Sequence, residues 1–171
     1  LVRPGPQQAD QMGLRFVAFI IDYLILIIPL NMLNVGVFSR YFESPTLVHL
    51  LTDATLIAYY AILEGLWRAS IGKRLVGLRV VLAPGGRAAG VSRAAGRTLI
   101  FETPNFVLLA IMFVVGEARM AQFAAESPLM AAPVSSVAVV LLALLFSTAR
   151  RRNGFAGVHD LWTGTRVVQR V

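Results

Sequence analysis

Residues 16–33 read FVAFIIDYLILIIPLNML, and Asp22 is the only charge between Arg15 and Arg40. A helix rising about 1.5 Å per residue needs about 20 apolar residues to cross a hydrocarbon core about 30 Å thick. This run has that length. An aspartate in its middle costs about 2.5–3.5 kcal/mol on insertion scales. The side chain must therefore face other helices, not lipid. This one stretch sets the fold class, a helical membrane protein, and raises the question of what satisfies Asp22.

Working outward, the charges mark further runs. Between Glu43 and Glu64 the only charge is Asp53, in a run that ends TLIAYYAIL (55–63). Between Glu126 and Arg150 there is no charge, and the run closes with VAVVLLALLF (137–146). Residues 98–116, TLIFETPNFVLLAIMFVVG, form a weaker candidate that holds Glu102 and Pro104. Its uncharged part is short enough for a re-entrant segment. Charge placement favours a full crossing, kinked near Pro104. With four crossings and the N-terminus inside, 14 basic residues fall on the inner segments and only Arg40 and Arg119 on the outer ones. With three crossings, Arg150, Arg151 and Arg152 would face outward, against the tendency for positive charge to stay inside.

The composition agrees. Of 171 residues, 57% are hydrophobic and 15% charged, against roughly 45–50% and 25% in soluble domains. The net charge of +7 would suggest nucleic acid in a soluble protein. Here the basic residues flank apolar runs, so we expect no nucleic acid and read the charge as membrane orientation. The absence of cysteine excludes disulfides and thiol chemistry. No cleavable signal is expected, because residues 1–13 are polar and the first apolar run exceeds a signal-peptide core.

The expected architecture is an all-α integral membrane protein with four transmembrane helices, at about 14–34, 46–66, 98–116 and 128–148, and a small cytoplasmic β-hairpin. Residues 1–12 are an N-terminal tail, 67–97 a cytoplasmic loop and 149–171 a cytoplasmic C-terminal segment. The loop carries seven basic and no acidic residues. Its LRVVL (78–82) has strand character and precedes the breaker Pro84-Gly85-Gly86. Gly77-Leu78-Arg79-Val80-Val81 is echoed by Gly164-Thr165-Arg166-Val167-Val168. The echo is either chance in a Val- and Arg-rich chain or a pair of strands sharing one cytoplasmic sheet. Arg93 and Arg97 share a helix face, where phosphate anchoring at the inner leaflet is the plain reading.

Taken in order, these motifs resemble the RDD family of membrane proteins. They are Arg15 and Asp22 in RFVAFIID, then Glu64 followed by Gly72-Lys73-x3-Gly77-x-Arg79-Val80-Val81. Arg93 and Arg97 come next, and His159-Asp160-Leu161-Trp162-x-Gly164-Thr165 with Val167-Val168 closes the series. The match runs from residue 13 to 168. Arg15, Asp22 and Asp160 fall at the name-giving arginine and two aspartates. Ser70 departs from the pattern, where such proteins more often carry threonine. The resemblance implies a multi-pass α-helical domain in the cell membrane. Some such proteins resemble cation/proton antiporters, and others resemble accessory or assembly factors of membrane complexes.

The residues leave the same two readings open. Asp22, Asp53, Glu64 and Glu102 could line a path for protons and Na⁺, Li⁺ or K⁺, since carboxylate oxygens suit hard cations. Asp53 and Glu64, eleven apart, return to nearly one helix face. The alternative is that buried Asp/Arg pairs only fix helix register. Lys73, Arg93 and Arg97 are the expected charge partners. Arg93 and Arg97 are candidates for Asp22, and Lys73 or Arg15 for Asp160, which can also cap a helix. Partners on this reading are the bilayer, anionic inner-leaflet lipids, and a second copy or another membrane protein. His49 and His159 fall on opposite sides, so no metal site or cofactor is expected. No motif marks an enzyme. Trp67 and Trp162 fit inner-interface anchors, and Tyr41 an outer one.

Overall fold

The computed structural model describes residues 11–33, 36–37, 39–41, 44–83, 86–116, 118–119, 122, 125, 139–150 and 153–169. The first helix, α1 (Gln11–Asp22), runs through a π-helical turn (Tyr23–Ile27) into α2 (Ile28–Leu33). Pro29 explains the widened turn. Its ring would strike the carbonyl four residues back in a regular helix, and a π turn relieves that crowding. The Ile28 N–H donates five residues back, to the Tyr23 carbonyl.

After a short α3 (Ser39–Tyr41), α4 spans Pro45–Trp67. Ser44 caps its start by accepting from the Leu47 N–H at 3.4 Å, and Pro45 sits where a missing N–H costs nothing. The helix ends at Arg68, which adopts a left-handed conformation. Ser70 then caps α5 (Ile71–Leu75). Strand β1 (Leu78–Leu82) leads to α6 (Val91–Phe101) and α7 (Thr103–Val115). Residues 139–146 are helical, here α8, and α9 (Val158–Thr163) and β2 (Thr165–Gln169) close the order.

Among the described residues two stretches are long and apolar enough to cross a membrane, Met12–Leu30 and Thr46–Leu75, and the second breaks at Arg68. The α6–α7 pair, which bends by 55° at Glu102, makes a third if the two helices count as one span. The expected kink near Pro104 is thus present, in the first turn of α7. Most of the expected fourth span, 128–148, lies outside the described residues, as do residues 1–10 of the N-terminal tail, Pro84-Gly85 and Arg151-Arg152.

The expected hairpin is corrected in its pairing. Strand β1 lies where the sequence puts it, but its partner is β2, antiparallel, with Val80 opposite Val167. Across the local turn the chain returns only to a single bridge, Val81 to Ala88. The Gly77–Val81 and Gly164–Val168 echo is thus one two-stranded sheet, which ties the C-terminus to the middle of the chain. The main apolar core is small and sits there: Ala18, Leu78, Val80, Ala89 and Val167. The spanning helices bury little. Phe113 and Val114 on α7 are more than four-fifths exposed, as suits side chains solvated by lipid tails.

Two glycines permit the closest approaches. A Cβ on Gly65 of α4 would stand 2.5 Å from the Val91 Cα of α6, and one on Gly72 would press on the Ala18 carbonyl and sit 2.9 Å from the Asp22 carboxyl carbon. Overpacking of this kind costs about 1–3 kcal/mol. Gly72→Ala and Gly65→Ala should each lower the thermal midpoint of the detergent-solubilised protein. Gly13→Ala, with open space around it, should not.

Candidate functional site

Where α1, α4, α5, α6 and α9 meet, six acidic and basic side chains lie buried or nearly so, Arg15, Asp22, Glu64, Lys73, Arg97 and Asp160. Asp22 is almost fully enclosed. Its Oδ1 accepts from the Tyr59 hydroxyl at 2.8 Å and the Gly72 N–H at 2.7 Å, and its Oδ2 from the Ser70 hydroxyl at 2.6 Å. The expectation that Arg93 or Arg97 would pair with Asp22 is therefore corrected. The 70–72 turn packs directly on α1, and its neutral donors reach the carboxylate first. Ser70 supplies one of the two hydroxyls.

Arg97 is committed elsewhere. Its Nη1 donates to Glu64 Oε2 at 2.5 Å and its Nε to Asp160 Oδ1 at 2.7 Å. Lys73 Nζ donates to the other Glu64 oxygen and lies over the Tyr60 ring, 5.4 Å from its centre. Arg15 reaches Asp160 Oδ2 at 3.4 Å and also donates to the carbonyls of Phe155, Gly154 and Val167. The result is an alternating chain: Arg15, Asp160, Arg97, Glu64, Lys73. Lys73 is also within electrostatic range of Asp22. Three cations thus balance three carboxylates. The Gly65–Val91 crossing puts α6 beside Glu64, which is why Arg97 meets that carboxylate and not Asp22.

Asp160 does both things expected of it. It bonds Arg15, and it accepts from the Gly157 N–H at 3.4 Å at the start of α9. Lys73, the other expected partner, is held by Glu64 instead. Burial works to raise the Asp160 carboxyl, but the charges of Arg97, His159 and Arg15 outweigh it and hold the group at about 2. His159 sits edge-on to Phe101 and Phe146. Burial, reinforced by the Arg97 charge, pushes its imidazole down to about 4 despite Asp160 alongside.

The remaining predicted residues lie apart. Asp53 and Glu102 are both buried and within electrostatic range of each other. Glu102 accepts from the Asn105 amide at 2.5 Å, and Asp53 has His49 nearby. Arg93 forms no ion pair with a described residue, and its guanidinium lies beside Gly164. Among the described residues no group of three or more His, Asp or Glu is placed to hold a metal ion. Tyr59, Ser70 and the Gly72 N–H escaped the sequence reading. Only the hydroxyl two residues before Gly-Lys offered a signal.

Long apolar helices joined by a buried, charge-balanced cluster define a helical membrane protein. The chain belongs to the RDD family, whose sequence model matches residues 10–164. Of the three residues expected to carry the family's signature, Arg15 and Asp160 are in contact, and Asp22 anchors the neighbouring turn. No curated protein and no solved structure matches the chain.

The lowered His159 gives a sign for pH. An unfolded histidine takes up its proton near 6.5 and the folded one only near 4. As pH falls between those values the unfolded state binds more protons, so stability drops. Asp160 adds a further loss only between its ordinary 3.8 and about 2. Resistance to thermal unfolding should therefore fall as pH drops from about 6.5 to about 4, and His159→Phe should flatten that slope.

Proposed function

We propose that this protein crosses the cell membrane four times, with both termini and the 67–97 segment cytoplasmic. On this reading it acts as a non-transporting, non-enzymatic scaffold or accessory subunit. Its polar interior fixes helix register, and its basic inner face meets anionic lipids and a second copy or another membrane protein. One observation carries the reading: every carboxylate of the central cluster is saturated by internal donors. An ion path needs ligands that can exchange. Removing one partner from such a buried pair costs about 3–5 kcal/mol, so the cluster favours a fixed arrangement over a cycling one. The exposure of Trp67 and Trp162 suits indole rings at an interface.

A second reading has its own support. Asp53 and Glu102 are buried and, among the described residues, make no ion pair with Lys or Arg. They are the groups that could exchange a proton for a monovalent cation. Antiport would run through them and leave Asp22 and Glu64 structural.

Vesicles reconstituted with the purified chain and pulsed with Na⁺, Li⁺ or K⁺ should show no proton movement beyond empty vesicles. A flux that disappears in Asp53→Asn would instead establish the antiport reading. Affinity capture from membranes should recover a dominant membrane-protein partner or a second copy of the chain, weakened by Arg93→Glu with folding intact.

A further inference from the structure

Below the end of α4 the chain forms a cleft of about 330 Å³. Three arginines line it, Arg68, Arg74 and Arg79, with Leu66, Trp67 and Leu78. No acidic residue lines it, and none of the three arginines pairs with a carboxylate among the described residues. Three like charges around one small space repel one another, and an anion between them would relieve that repulsion.

The frame is rigid. The Arg68 carbonyl accepts from the Val80 N–H at 2.5 Å, which fixes strand β1 against the end of α4. Leu78 is buried beneath. Arg68 itself has φ 63°, a left-handed conformation that costs a residue with a Cβ about 1–2 kcal/mol. Glycine would end α4 more cheaply at this position. Arginine there places a guanidinium at the cleft in exchange for backbone strain, and such strain is a pointer to function.

The walls differ in kind. Leu66 and Trp67 are each more than three-fifths exposed and continue the apolar surface of the crossing helix. The arginines form the other side. Guanidinium forks match phosphate oxygens in two-point contacts, and tryptophan settles at headgroup level. A free phosphate would use only the basic side. A phospholipid would use both.

We propose that this cleft is a discrete site for the headgroup phosphate of an anionic phospholipid, whose acyl chains lie along α4 past Leu66 and Trp67. The proposal rests on the basic face being turned to the inner leaflet, and adds to it one defined site.

The test uses the full chain in mild detergent, with bound lipid counted by native mass spectrometry. Phosphatidylglycerol should be retained, and phosphatidylcholine should be retained roughly tenfold less. Arg74→Gln with Arg79→Gln should weaken phosphatidylglycerol retention by roughly tenfold or more. Arg68→Gly should weaken it too while leaving the melting temperature equal or higher, because it relieves the left-handed backbone. A purely structural role for Arg68 would not separate those readouts. Wild-type retention in the double variant would overturn the site. So would displacement by soluble glycerol phosphate at concentrations matching the lipid, which would mark a free-phosphate site. Orientation is read separately by labelling Arg87→Cys, the sole thiol in an otherwise cysteine-free chain. Cytoplasmic labelling together with wild-type lipid retention in the Arg74→Gln, Arg79→Gln variant would sink the site and leave the orientation standing.

Discussion

Arg97 holds one positive charge between two buried carboxylates, Glu64 on α4 and Asp160 on α9. Neither carboxylate could be buried alone, because an unpaired ion away from water costs several kcal/mol. The arrangement of the helices around it follows from that constraint. Helix α6 must approach α4 closely enough to deliver the guanidinium, and Gly65 makes room against Val91. The C-terminal segment must fold back to bring Asp160, and β2 pairs with β1 to hold it there. Arg15 then joins the N-terminal helix to the same point. One charge-balanced cluster thus ties the beginning, middle and end of the chain. The lipid-facing helices gain little from burial against each other, so polar contacts of this kind carry more of the specificity.

Much of the fold was legible because its cause is local. A long, mostly apolar run is a candidate crossing by its length and composition alone, and the helices around residues 16–33, 46–66 and 98–116 follow. The kink near Pro104 was readable for the same reason. Pairing was not local. Asp22 could be read as buried, but not as served by Tyr59, Ser70 and a backbone N–H, since neutral donors leave no charge pattern. Arg15 and Asp160 are 145 residues apart, and charge alone left Lys73 as an equal candidate for Asp160. The β1–β2 pairing was visible as a faint echo that composition alone could also produce. The glycine approaches at Gly65 and Gly72 depend on helix crossings that no spacing rule reveals.

The buried carboxylates divide into two kinds. Asp22, Glu64 and Asp160 are locked by donors and cations at the helix junction. Asp53 lies further along α4 and Glu102 at the bend between α6 and α7, with His49 and Asn105 as their polar neighbours. The first set explains why the helices keep one arrangement. The second is where any exchange of ions would have to occur. The distinction turns on partners, not on burial, which both sets share.

The central claim is that Arg97 and its carboxylates act as one energetic unit. A double-mutant cycle with Arg97→Gln and Glu64→Gln, read as unfolding free energy in a fixed detergent, tests it most directly. The account predicts that the double variant is less destabilised than the sum of the two single variants, with a coupling of about 1–3 kcal/mol. Additivity within about 0.5 kcal/mol would contradict it.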